Sequence, residues 1–300
     1  MVDTHAGWKI VFLSEERVLE SLVVTATVSE VRARALSLLF HAGSGHPGGV
    51  LSSAEILDAL WQRAEPWSVK PRGRLVLSKG HSVATLYALA GLSGMLRDDE
   101  GTSLRKLNSR LQGHPDVSSL PWLETSTGSL GQGFSFSVGL ALGLRHQSNS
   151  TAVYAVLGDG ELQEGQVWEA AMSAAHFGLD QLTAIVDYNK LQSDARNSEI
   201  MGIEPLGAKW SAFGWHVQEV DGHSTPELSE ALDAADSASC PSVIIAHTVK
   251  GKGVSFMEDA PAWHGSVRMT EEQVSAAWND LGIPKTEQDN LLAGRLWGGE

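Results

Sequence analysis

TAVYAVLGDGELQEGQVWEAAMSAAHFGLDQLTAIVDYN, residues 151–189, places two short apolar runs on either side of a stretch with helical spacing. TAVYAVLG and LTAIVDYN are β-branched and apolar, which predicts strands buried on both faces. The intervening residues predict a helix from about Glu164 to Phe177, stopped by Gly178. A strand–helix–strand unit of this kind implies parallel neighbours. In open α/β sheets ligands bind beyond the carboxyl ends of the strands. Asp159 and Asn189 stand at those two ends, so two hard oxygen donors converge if the strands are adjacent. Magnesium takes one or two protein oxygens together with substrate phosphates. Gly158 and Gly160 would let a phosphate approach the backbone, and the following helix would aim its N-terminal amides at it. An EF-hand is excluded, because DGELQEG lacks the alternating ligands and the closing glutamate. GSLGQG has its glycines in the wrong order for a dinucleotide fingerprint.

Outward from this unit the chain keeps the same alternation. Residues 15–41 carry apolar positions at helical spacing and end in a glycine-rich loop, HAGSGHPGG. SSAEILDALWQRA predicts a helix with Ser52 or Ser53 as N-cap. RLVLS predicts a strand, SVATLYALAGLSG a helix, and residues 97–128 an irregular region. GQGFSFSVGLALGLRHQ opens on glycines and becomes a small-residue helix. GWHVQEV and PSVIIAHTV predict two further strands, separated by a helix at about 225–238. The fold class that follows is α/β, a doubly wound and mostly parallel sheet with helices on both faces. TEEQVSAAWNDLG predicts one more helix, with a frayed tail after it.

Bulk properties limit the partners. At 300 residues, 42% hydrophobic and 19% charged, the chain has the composition of a globular domain. Its formal charge of −14 argues against a nucleic-acid backbone. One cysteine, Cys240, excludes a disulfide framework and fits a cytoplasmic location. No window approaches the length of a membrane span and the N-terminus has no secretory pattern, so neither membrane nor export is expected.

Glycine–histidine pairs recur in predicted loops: SGHPGG (His46), SKGHS (His81), QGHPD (His114), DGH (His223) and WHG (His264). Imidazole suits proton exchange with sugar hydroxyls near neutrality. His5, His41, His146 and His176 are read as structural. A zinc site is disfavoured, because no histidine pair has the i, i+4 spacing of a zinc helix.

SGHPGG, SKGHSVATLYA, QGHPD, STGSLGQGFSFSVGLAL, GDGELQEGQVWEA, VDYNKLQSD, HTVKGKG and WHG follow in this order and together resemble the N-terminal half of transketolase, from about residue 28 to 270. The resemblance implies a thiamin-diphosphate-binding fold of the diphosphate (PP) type. It implies thiamin diphosphate as cofactor with Mg2+, or another divalent cation such as Ca2+ or Mn2+. Asp159 and Asn189, with the Leu191 carbonyl, would hold the metal. His81, His264, Gly158, Gly160, Glu161 and Asn189 would bind the diphosphate side of the cofactor, and Gly128, Ser129 and Leu130 would border its aminopyrimidine. His46, His114 and His264 would act on the substrate. Glu164 and Glu169 would lie at a subunit interface, in an acidic network between paired sites. Ser129 stands where proline is common in the family.

On this reading residues 1–27 are an extension, 28–270 the cofactor- and metal-binding unit, and 271–300 a helix and tail. Full-length transketolases are about twice as long, and the half without a counterpart here carries the pyrimidine-binding domain and its glutamate. The expectation is therefore the N-terminal subunit of a two-chain enzyme, in an α2β2 assembly with a C-terminal transketolase-like subunit. It would move a two-carbon ketol unit from a ketose or ketose phosphate to an aldose. Transfer to a non-standard acceptor in specialised metabolism and a non-catalytic cofactor-binding scaffold are the alternatives. Intact His46, His114 and His264 count against the scaffold.

Overall fold

A computed structural model describes residues 26–68 and 70–297. The element order is α1 (Val28–Ala42), α2 (Pro47–Ser52), α3 (Ala54–Ala64), β1 (Gly73–Leu77), α4 (Val83–Leu92), α5 (Gln132–His146), β2 (Ala152–Gly158) and α6 (Gly165–His176). It continues with β3 (Leu182–Tyr188), α7 (Asn197–Ile200), α8 (Leu206–Ala212), β4 (His216–Asp221), α9 (Thr225–Asp236), β5 (Ser242–His247), α10 (Glu271–Asp280) and α11 (Lys285–Leu292).

The five strands form one sheet in the order β1-β2-β3-β5-β4, with every pair parallel. Side chains alternate across it, as the period of two requires. Tyr154, Val156, Ile185 and Ile244 face one core, shared with α1, α3, α4, α9 and α10. Val153, Ala155, Val186, Val243 and Ile245 face the other, shared with α5, α6 and α8. Because β2 and β3 are neighbours with Gly158 opposite Asp187, the ends carrying Asp159 and Asn189 lie side by side.

Three local expectations change. HAGSGHPGG is only partly a loop, since α2 starts at Pro47, whose fixed φ suits a first helical position. Ser53 occupies the N-cap of α3 but caps nothing. Its hydroxyl donates to Gly49 O at 2.8 Å, and that of Ser52 donates to Asp187 Oδ2 at 2.6 Å. Between Asp159 and α6 the chain makes a 3-10 turn, Gly160–Gln163, that the sequence reading left out, and α6 then begins at Gly165, one residue from the predicted start. Gly178 does end α6, at φ +60°.

The frayed tail is also corrected. α11 follows α10, and Leu291 and Leu296 are fully buried. Arg34 donates to Leu296 O at 2.9 Å and pairs with Glu287, and His41 bonds Leu291 O at 2.8 Å. The apolar residues here are few, so periodicity alone does not reveal this docking onto α1. The readings on residues 15–25 and on His5 lie outside the described residues. Among the described residues, no helix is long and apolar enough to cross a membrane.

Candidate active site

Beyond the carboxyl ends of β1, β2 and β3 lies a cavity of about 210 Å³. It is lined by Gly49, His81, Leu130, Gly158, Asp159, Gly160, Glu161, Asn189, Leu191 and His264, among others. Most of the expected cofactor and metal residues are thus brought together by the sheet. Asp159 is 2% exposed. Its carboxylate accepts from Gly160 N at 2.8 Å and from Lys190 N. Burial, reinforced by the nearby charge of Asp187, raises its pKa to about 6. Asn189 Nδ2 donates to Asp187 Oδ2 at 3.2 Å, which fixes the amide and leaves Oδ1 facing Leu191 N at 3.1 Å.

Among the described residues no three His, Cys, Asp or Glu side chains converge as a metal cluster. The donors present are instead one carboxylate, one amide oxygen and the Leu191 carbonyl, an all-oxygen and incomplete set. That chemistry fits a hard divalent ion whose remaining positions are filled by phosphate oxygens and water. The walls fit a phosphate too. A Cβ on Gly160 would stand 3.3 Å from Gln192, and one on Gly49 3.1 Å from His81 Nε2.

Glu161 lines the cavity, but its carboxylate is fully engaged. It accepts from Ser78 Oγ, from Gly131 N at 2.7 Å and from Gly158 N at 3.0 Å. Burial still raises its pKa. The geometry makes it a tie between the ends of β1 and β2 and the start of α5.

Two imidazoles, His81 and His264, line the cavity, and His46 and His114 extend the cluster. His46 lies 5.1 Å from His81, 5.8 Å from His264 and 6.5 Å from His114, between ring centroids. His81 and His264 are 5.7 Å apart. Glycines allow this crowding: a Cβ on Gly265 would fall 2.3 Å from the His46 ring, and one on Gly48 2.9 Å from Trp263 O. Burial lowers the His46 pKa to about 4 and that of His264 to about 3, with neighbouring cations adding to it. His81 and His114 are lowered for the same reason. All four are therefore neutral at pH 7, each with one donor and one acceptor nitrogen. His223 does not join them. Its Nδ1 bonds Glu55 at 3.0 Å and its Nε2 accepts from Val249 N at 2.8 Å, a structural role.

Gly128 packs beside His114, and Leu130 reaches the cavity. Glu164 and Glu169 are exposed at the start and on the outer face of α6. Phe136 on α5 is 40% exposed and Met172 on α6 is 55% exposed.

Two lysines escape the sequence reading. Lys79 and Asp187, 1% and 0% exposed as side chains, form an ion pair beneath the cavity. Asp187 also accepts from Ser52 and Thr248, and although burial opposes its charge, Lys79 and these bonds keep its pKa below the ordinary value. Lys250 Nζ donates to Leu191 O at 2.8 Å and to His264 Nδ1 at 2.5 Å. The second bond places the His264 proton on Nε2. Burial, then Lys79, lowers the Lys250 pKa to about 8. Both lysines stand in quoted motifs, SKGH and VKGKG, but a lysine near glycine carries no signal of burial.

Comparison with known proteins gives concordant results. The family described as "Transketolase, thiamine diphosphate binding domain" matches residues 23–290. The chain is 43% identical over 259 residues to 6-deoxy-6-sulfo-D-fructose transketolase subunit SqwG of Clostridium sp. strain MSTE9, covering 84% of this chain and 93% of that one. It is 37% identical over 267 residues to one of the subunits of the apulose-4-phosphate transketolase of Phocaeicola vulgatus, covering 86% and 94%. Human transketolase is 42% identical over 246 residues, which are 80% of this chain but 39% of the human one. The crystal structure of transketolase from Campylobacter jejuni superimposes with a TM-score of 0.79 at 30% identity, covering 90% of this chain and 46% of that one.

Proposed function

The chain belongs to the transketolase family, as its thiamin-diphosphate-binding domain, and on that premise we propose that it is the N-terminal subunit of a two-chain, thiamin-diphosphate-dependent transketolase. The observation that carries this is that His81 and His264 line one cavity with Asp159, Asn189 and Leu191, while His46 packs against both imidazoles and His114 stands next to His46. When bound, thiamin diphosphate supplies the carbanion chemistry that moves a two-carbon unit. Asp159, Asn189 and the Leu191 carbonyl would hold a divalent ion, Mg2+ in the first instance, beside its diphosphate. His81, Gly160 and Nε2–H of His264 would contact its phosphate oxygens, while Gly128, Ser129 and Leu130 would border its pyrimidine. His46, His114 and His264 hydrogen-bond the donor ketose and the acceptor aldose, and their neutral nitrogens accept and return hydroxyl protons. Residues 28–270 form the unit that does this.

A C-terminal transketolase-like subunit supplies the pyrimidine-binding domain. Support comes from the two relatives named as subunits, which this chain covers almost completely. The exposed stripe of Glu164, Glu169 and Met172 on α6, with Phe136 on α5, is the contact surface, in an α2β2 complex in the cytoplasm. The same two relatives favour a second reading of the acceptor. Their names specify a sulfonated ketose and apulose 4-phosphate rather than common sugar phosphates. Co-purification from the native host, followed by ketol-transfer assays with the recovered pair and an acceptor panel, tests both. Turnover by this chain without any partner would refute the subunit reading.

A further inference from the structure

The segment after β3 contains a buried polar side chain that nothing above uses. Leu191 and Arg196 form an antiparallel bridge. Gln192 N donates to Ala195 O at 3.1 Å and Asn197 N to Lys190 O at 3.0 Å. Residues 190–197 therefore double back and return Asn197 to the end of the sheet that carries Asp159. Asn197 is 4% exposed, yet neither Oδ1 nor Nδ2 has a hydrogen-bond partner. Oδ1 stands 3.9 Å from the position a Cβ on Gly160 would take. The amide reaches toward the Asp159 carboxylate without closing a hydrogen bond. A buried amide with both ends unmet is costly unless some ligand satisfies it. Its neighbours include the Asp159–Gly160 turn, and it also borders a second cavity of about 160 Å³ with Tyr188, Lys190 and Glu204; of these surroundings, the turn is the one that carries a cation-binding carboxylate.

We propose that Asn197 is a positioning residue of the divalent-cation site, donating through Nδ2 to the Asp159 carboxylate and accepting through Oδ1 from water bound to the ion. This rests on the assignment of the cation to Asp159 and Asn189. The chemistry is complementary at both ends. A carboxylate oxygen that binds an ion keeps lone pairs for a donor, and water on a divalent ion has strongly polarised protons that need an acceptor. Outer-shell partners of metal ligands typically account for about 10–100-fold in metal affinity. Asn197 also has the right leverage, because its own backbone closes the loop that presents the Leu191 carbonyl.

The test is Mn2+ binding to the full chain at saturating thiamin diphosphate, followed by electron paramagnetic resonance of the free ion. Asn197→Ala is expected to weaken Mn2+ binding by about 10-fold. Asn197→Leu, which keeps the side-chain volume but neither polar atom, is expected to lose as much, whereas a role in packing alone would leave its affinity at the wild-type level. Asp159→Ala serves as the reference and is expected to abolish binding. Wild-type affinity in Asn197→Ala, or in Asn197→Leu, overturns the inference while Asp159→Ala still loses the ion. Wild-type affinity in Asp159→Ala means that the ion is held elsewhere, and the site assignment fails first. Should Asn197→Ala not fold by circular dichroism, Asn197→Leu alone gives the comparison, with wild-type affinity again overturning the inference.

Discussion

His46 and His264 are held neutral by burial, with folded values of about 4 and 3 against an ordinary value of 6.5. As pH falls below 6.5 the unfolded chain takes up these protons first, so the native state loses stability between pH 6.5 and the folded values. Asp159 acts in the opposite direction, since its raised pKa favours the fold as it protonates below about 6. For cation binding the sign differs again, because the ion needs the carboxylate. Retention of thiamin diphosphate and metal is therefore expected to weaken as pH drops through about 6, and equilibrium dialysis across about pH 5–8 measures it. Asp159→Ala and Asn189→Ala are each expected to abolish cofactor retention by the assembled enzyme, and wild-type retention in either would refute the metal assignment. His114→Ala should leave cofactor binding intact while lowering turnover by about 10²–10⁴, the range for a lost acid–base group. These residues can be found in the sequence because a carboxylate, an amide and several imidazoles stand beside glycines at strand ends. Lys79, Asp187 and Asn197 cannot, because burial defines their role and no local pattern announces it.

Among the elements, β2, α6 and β3 agree with the sequence pattern to within a residue or two, since continuous apolar runs allow no alternative period. α2 and α11 do not show in that pattern, the first because Gly48 and Gly49 mask a helix, the second because only a few buried leucines mark it. α5 depends on a close contact at its own glycine. A Cβ on Gly133 would lie 2.7 Å from Ser78 Cα, while Phe134 N donates to Ser78 Oγ at 3.0 Å. Gly133→Ala should push α5 off the end of β1 and cost about 1–3 kcal/mol, seen as a lower urea midpoint with unchanged slope. At the start of α1, Thr27 and Glu30 form a reciprocal cap, with Glu30 N to Thr27 Oγ1 at 3.3 Å and Thr27 N to Glu30 Oε2 at 2.7 Å. Thr27→Ala should cost about 1 kcal/mol in the same experiment.

On the scale of the whole molecule, the sheet order brings β1, β2 and β3 together and so gathers loops distant in sequence around one cavity. The outer faces of α5 and α6 leave Phe136 and Met172 exposed, and Glu164 and Glu169 are exposed as well. Met172→Glu is expected to prevent pairing with the C-terminal subunit while leaving the circular dichroism of this chain unchanged, and size-exclusion chromatography with light scattering reads the assembly. The sequence by itself determined the fold class, through apolar periodicity, and the family, through eight motifs in fixed order, and the candidate oxygen donors and imidazoles stand in those motifs, because periodicity and motif order are local properties. Only the tertiary structure decided which histidines meet and which, like His223, are consumed in the framework. It also decided that Glu161 ties three elements and that a lysine–aspartate pair lies under the site. Those outcomes depend on desolvation and on partners far away in the chain, and both exist only once the two cores have closed on the sheet.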